Sequence, residues 1–165
     1  MKIIQVTDIH YGEDETKDAA TTEELKKLID WETPDMAILT GDMVSGYAWD
    51  GKSSGWYEKQ WDKWTQAFID KALPYMYVQG NHDSQADIGR DAVASLDMTL
   101  NISMTEKGPS RIHGTSNYVY PVFDQAGEKK LFYLWAFDSM SDNCEGVDGW
   151  GCVYPDTVEW FRNKS

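Results

Sequence analysis

The chain has no apolar run near the roughly 20 residues that cross a bilayer, so no membrane span is expected in its 165 residues. After Lys2 the run IIQV is too short for the apolar core of a signal peptide, and with no leader in view a cytoplasmic protein is expected. Positive charge is scarce: 15 Lys and Arg stand against 28 Asp and Glu, a net charge of −13. That sign repels nucleic-acid backbones and anionic membranes, which argues against either as a general partner. Cysteine is limited to Cys144 and Cys152, eight apart in a Gly-rich loop. They can close a small disulfide in an oxidising compartment or stay as two free thiols. The Asn-x-Ser sequons at Asn101 and Asn163 would matter only in a secreted protein. Histidine is scarce as well, with only His10, His82 and His113.

What is present suffices for one domain with a real core, residues 1–165, and is too little for two comfortable ones. KIIQVT (2–7), MAILT (36–40) and YMYVQ (75–79) are short apolar runs that read as strands, the second covered on both faces. Between them, TTEELKKLIDWETPD reads as a helix opened by a Thr21–Glu24 capping box and stopped by Pro34. WYEKQWDKWTQAFIDKAL reads as another, with Tyr57, Trp61, Trp64, Phe68 and Ala72 on a buried face. The first half is therefore β-α-β-α-β, with crossovers long enough for a parallel sheet. Ser84 is a candidate cap for a third helix near 86–98. NYVYPVF and LFYLWAF flank DQAGEKK as an antiparallel hairpin. A loop covers 138–151, and PDTVEWFRNKS reads as a last helix with Pro155 in its first turn.

Each of the first three strands ends in polar residues: TDIH with Asp8 and His10, TGDM with Asp42, and QGNHD with Asn81, His82 and Asp83. In a parallel sheet these ends share one edge, where ligands bind. Asp8 and His10 are two apart, so an extended backbone points both the same way. Glycines 41 and 80 let the chain turn sharply beside a ligand. An ordinary turn explains any one of these stretches, but hardly three in register. Mixed oxygen and nitrogen donors suit Mn, Fe, Zn or Ni better than Ca. A carboxylate from the middle strand can bridge two cations about 3.5–4 Å apart.

Asp8-Ile9-His10, Gly41-Asp42 and Gly80-Asn81-His82-Asp83, in this order and spacing, resemble the first three motifs of the calcineurin-like metallophosphoesterases. The tail, from DSMSDN to GWGCVYPDTVEWFRNKS, is similar to the purple-acid-phosphatase-like branch. The resemblance implies an α/β fold of four layers, α/β/β/α, and two metal ions (Mn, Fe or Zn). Asp8 and His10 would hold the first metal, Asp42 would bridge, and Asn81 would bind the second. His82 would act as general acid with Asp83 orienting it, while a metal-bound hydroxide attacks phosphorus in line. The implied substrate is a small-molecule or protein phosphate ester.

Two departures qualify this. Where purple acid phosphatases carry a metal-binding Tyr, three residues after the bridging Asp, this chain has Ser45, and Tyr47 comes two residues late. The family's later His and Gly-His-x-His pair are missing, and His113 has no comparable context. The match is therefore expected to cover the N-terminal half to two-thirds of the domain, incomplete at its C-terminus and weak or inactive as it stands. A catalytically degenerate scaffold that binds a protein partner is the alternative.

Residues 46–53, GYAWDGKS, also match Gly-x-x-x-x-Gly-Lys-Ser between a strand and a helix, and LFYLWAFD (131–138) imitates its companion strand ending in Asp. Trp49 is bulky for a phosphate cradle, Asp50 is negative, and the first Gly lies six residues past MAILT. Nucleotide binding is thus a minor alternative. The 46–56 loop, with Tyr47 and Trp49, is instead a candidate border of the substrate pocket.

Overall fold

A computed structural model describes all residues, 1–165. Strands β1 (Ile3–Val6), β2 (Met36–Leu39) and β3 (Tyr75–Tyr77) form a parallel sheet in the order β1-β2-β3, with Ile3 opposite Met36 and Ala37 opposite Tyr75. Side-chain alternation sorts these apolar strands onto two faces. Ala37, Leu39, Tyr75 and Tyr77 join Tyr57, Trp61, Trp64 and Phe68 in the larger core. Those aromatics come from α2 (Trp56–Asp70), while α1 (Glu15–Glu32) adds Leu25 and Ile29. Trp64 is fully enclosed against Phe68, Tyr75 and Tyr77, and truncating it to Ala would cost about 3–5 kcal/mol.

On the opposite face Met36 and Met76 pack with Tyr118 and Ala136. These belong to a hairpin of β4 (Tyr118–Phe123) and β5 (Lys130–Ala136), antiparallel and kinked by an irregularity at Val122/Phe123. Its turn is held by the Asp124 carboxylate, which accepts the N–H groups of Glu128 and Lys129. The outer side of the hairpin meets α4 (Pro155–Lys164), where Trp135 lies edge-on to Phe161 with ring centroids 4.7 Å apart. Helices, parallel sheet, hairpin and α4 make the α/β/β/α order that the motifs implied, and Pro155 does open the last helix.

Two helix starts differ from expectation. α1 begins at Glu15, ahead of Thr21, because Asp14 accepts the N–H groups of Thr16 and Lys17 and satisfies the first turn there. The third helix, α3 (Arg90–Asp97), starts after Gly89 with no side-chain cap, and Ser84 instead faces the Arg90 guanidinium. No helix is long and apolar enough to cross a membrane. Cys144 and Cys152 are joined in a disulfide, which decides the pairing left open above. Such bonds persist in oxidising compartments.

Candidate metal centre

The segment after β1 runs alongside the segment after β2. Asp8 N–H donates to Gly41 C=O at 3.0 Å, His10 N–H to Asp42 C=O at 3.0 Å, and Tyr11 N–H to Met43 C=O at 2.9 Å. Extended backbone does not align Asp8 with His10, as the spacing suggested. Both are left-handed, with φ of 55° and 53°, and Asp42 has φ 51°. Asp and His are among the side chains that tolerate this region, yet three such residues at one edge are the kind of strain that gathers at functional sites. The result is convergence: ligand atoms of Asp8, His10 and Asp42 all lie within 4.8 Å of one another.

The third loop closes over them. Gly41 and Gly80 touch, and a Cβ on Gly41 would lie 2.3 Å from the Gly80 nitrogen, so neither loop could approach with a side chain there. His82 N–H donates to Asp42 Oδ1 at 2.8 Å, which places the half-buried Asn81 in the loop clamped to that carboxylate. Asp83 takes a part other than the one the resemblance implies. It is fully buried and accepts the N–H groups of Asp42 and Gly80 at 2.8 Å and of Val44 at 3.0 Å. Its carboxylate therefore staples the second loop to the third and does not reach the His82 ring. Burial raises the Asp83 pKa, with the Gly80 and Val44 bonds opposing it. The partner of His82 is Gln85, whose Oε1 lies 2.7 Å from Nδ1.

Around this edge sits a set of groups the sequence reading did not assemble. The Nδ1 of His10 lies 2.9 Å from the hydroxyl of Ser45, which donates to Glu13 Oε1 at 2.7 Å; the Tyr47 hydroxyl donates to the same oxygen. Those hydroxyls, Tyr47 first, hold the Glu13 carboxyl below its usual range, and Glu13 in turn raises the Tyr47 phenol. The Tyr47 ring stands edge-on to His82 at 4.7 Å, and Trp150, carried by the disulfide loop, stands edge-on at 6.1 Å. Tyr47 therefore borders the site as expected, whereas Trp49 turns away to donate to Ser53 C=O.

Behind the third loop, Arg90 donates to Gly80 C=O at 2.8 Å and Gln79 C=O at 3.1 Å, and pairs with the buried Asp138 at the end of β5. Asp138 thus anchors an arginine and accompanies no nucleotide. The P-loop reading fails on the same grounds of hydrogen bonding. The Asp50 carboxylate already consumes the N–H groups of Lys52 and Ser53, and Asp87 consumes those of Trp56 and Tyr57 at the start of α2. The N–H groups of the Gly-Lys-Ser end and of the first turn of the helix are thus largely taken before any phosphate could use them. His113 binds Asp156 at 2.8 Å and stacks on Tyr154, within the second half of the chain.

The donor set fits a metal. Two carboxylates and an imidazole converge, while no ion pair supplies Asp8 or Asp42 with a positive partner. Like charges so placed repel unless a cation sits among them.

Comparison with known proteins agrees. The chain is 28% identical over 99% of its length to an uncharacterised protein of Schizosaccharomyces pombe, covering 33% of that protein. It is 27% identical over 99% of its length to probable inactive purple acid phosphatase 14 of Arabidopsis thaliana, covering 44% of it. It is also 26% identical over 99% of its length to the phosphatase DCR2 of Saccharomyces cerevisiae, covering 30% of it. The chain thus spans less than half the length of these relatives. The family model of the calcineurin-like phosphoesterases matches residues 1–163, and the chain belongs to that family.

Proposed function

We propose that residues 1–165 carry the first part of the active site of a metal-dependent phosphoesterase, within one phosphoesterase domain. The observation that carries this reading is the convergence of Asp8, His10 and Asp42 beneath a loop that binds Asp42 through the His82 N–H. Asp8, His10 and Asp42 would hold one metal, and Asp42 with Asn81 would hold the second. When bound, two cations (Mn, Fe or Zn) would neutralise charge on the phosphoryl group and supply a water acidic enough to react near neutral pH. Ser45 in place of a metal-binding Tyr favours a pair without the phenolate–iron chromophore.

The chain's own residues do the rest. Gln85 Oε1 accepts from Nδ1 of His82, so Nε2 gives a proton to the leaving oxygen when the ring is an imidazolium with both nitrogens protonated, and the neutral Nδ1–H ring remains. Asp83 keeps the loop bearing His82 registered on Asp42, so the acid and the metal ligands move together. Tyr47 and Trp150 wall the space beside His82 where the leaving group would depart. The substrate is a phosphate ester, of a small molecule or a protein; the charge of −13 disfavours long polyanions.

The test is metal content together with Mn-dependent hydrolysis of an aryl phosphate, with Asp42→Asn and His82→Ala as controls. Metal bound by the wild-type chain, with turnover weak but abolished in both variants, is the expected result. A second reading is favoured by a specific finding: probable inactive purple acid phosphatases 14 and 28 of Arabidopsis thaliana are 27% and 23% identical to this chain. If the wild-type chain binds no metal, the scaffold reading, in which the fold binds a protein partner, takes over.

A further inference from the structure

The strongest unassigned feature is the chain of contacts that ends on the ring of His10. We propose that Ser45 and Glu13 are positioning residues that fix His10 in its Nδ1–H tautomer and so present Nε2 as the metal-binding atom. This rests on the metal reading above and adds to it two residues that belong to none of its motifs.

The argument is one of hydrogen-bond valence. Glu13 is an acceptor only, and both the Ser45 and the Tyr47 hydroxyls point at its Oε1. Each hydroxyl owns a single proton, and each spends it on Glu13. The Ser45 oxygen, 3.2 Å from the Tyr47 hydroxyl and 2.9 Å from His10 Nδ1, is then left to accept. Nδ1 is the only group there with a proton free to give, because the Tyr47 proton is already used. His10 must therefore carry its proton on Nδ1, and its lone pair stands on Nε2.

Ser45 is well placed to enforce this. It is wholly buried, and its backbone N–H is tied to Tyr11 C=O at 2.9 Å, one residue beyond His10. The serine thus rides on the same paired segments that bring Asp8, His10 and Asp42 together. A carboxylate–hydroxyl–imidazole chain makes the ring a better electron donor and locks its orientation, as outer partners of metal-bound histidines generally do. It also gives the departure at position 45 a use. A tyrosine there would ligate metal directly, whereas the serine acts through His10, and Tyr47 is kept on Glu13.

The experiment is nitrogen-15 NMR of the imidazoles in the metal-free chain, followed by calorimetric titration with Zn(II) alone. The wild-type His10 is expected as the Nδ1–H tautomer. Ser45→Ala is expected to mix the two tautomers and to weaken Zn(II) binding about 10–100-fold, with the melting midpoint little changed. Glu13→Gln keeps an acceptor and removes the charge, so a smaller loss in the same direction is expected.

An Nε2–H tautomer in the wild type would overturn the proposal, as would Ser45→Ala binding Zn(II) like the wild type. If the wild type shows the Nδ1–H tautomer and Ser45→Ala disturbs it, yet neither binds Zn(II), then the metal reading falls while the tautomer assignment stands.

Discussion

The two halves of this molecule use polar side chains in opposite ways. At the carboxyl edge of the parallel sheet, Asp8, His10 and Asp42 take left-handed backbone conformations and converge without counter-charge. In the hairpin half, polar groups satisfy one another: Asp138 pairs with Arg90, and His113 with Asp156. Carboxylates left facing each other without a counter-charge mark a place for a ligand, whereas closed pairs mark a joint. Substitutions should therefore cost binding in the first region and stability in the second.

The sharpest test of that division is Arg90→Ala. The pair with Asp138 is nearly dry, with side-chain exposures of 11% and 0%, and it joins the Gly80 loop to the end of β5. Removing one partner of a buried pair strands the other charge and costs about 3–5 kcal/mol, read as a shift in the urea midpoint. A shift under about 1 kcal/mol, the size of an exposed pair, would dissolve the comparison.

Asp42→Asn should behave the other way. Its Oδ1 can still accept the His82 N–H, so the fold should hold. Outer-sphere changes already cost 10–100-fold in metal affinity, and loss of a carboxylate proposed to bind metal directly should cost at least about a hundredfold. Calorimetry with Mn(II) beside a thermal melt separates the two effects. Asp8→Gly sharpens the point, since glycine adopts positive φ without penalty. Its melting midpoint should equal or exceed the wild type while metal binding is lost.

The same division explains what could be read from the residues in order. The strands, the hairpin, α4 and the three motifs were legible because each is a local pattern: an apolar run, a turn, a Pro at a helix start. The helix starts were less so, because Asp14 competes for the N–H groups before Thr21 can. Least legible were the joints. Arg90 and Asp138 are 48 residues apart, and Ser45 and Glu13 are 32 apart, with nothing local to announce either pair. Asp83 misled for a related reason. It sits next to His82 in the chain, but its three N–H donors come from Asp42, Val44 and Gly80, and only the fold brings those together.

The disulfide tests whether the hairpin half acts on the edge at all. It closes a short loop that presents Trp150 to His82. Entropic closure of so short a loop contributes at most about 2–3 kcal/mol, so a Cys144→Ser/Cys152→Ser variant should stay folded with a modestly lower midpoint. Freed from closure, Trp150 should lose its edge-on place beside His82, seen as a change in the His82 ring shifts in NMR. Unchanged shifts would mean that the loop is held by its other contacts.

The smallest effect expected is at the joint between His113 and Asp156. Burial is the largest single influence on the Asp156 carboxyl and raises it, but bonds from the His113 ring at 2.8 Å and its N–H at 3.1 Å, with help from the Thr157 N–H, together outweigh it, and the net shift is downward. A lowered carboxyl pKa gives stability that is complete above the ordinary carboxylate range and disappears as pH falls through the folded value. Asp156 is a third exposed, so the gain is discounted to about 0.5 kcal/mol. Asp156→Asn should therefore melt slightly below the wild type at neutral pH, and the two curves should merge in acid. A gap that widens on acidification would reverse the sign and show that this joint is held by something other than the ionised carboxylate.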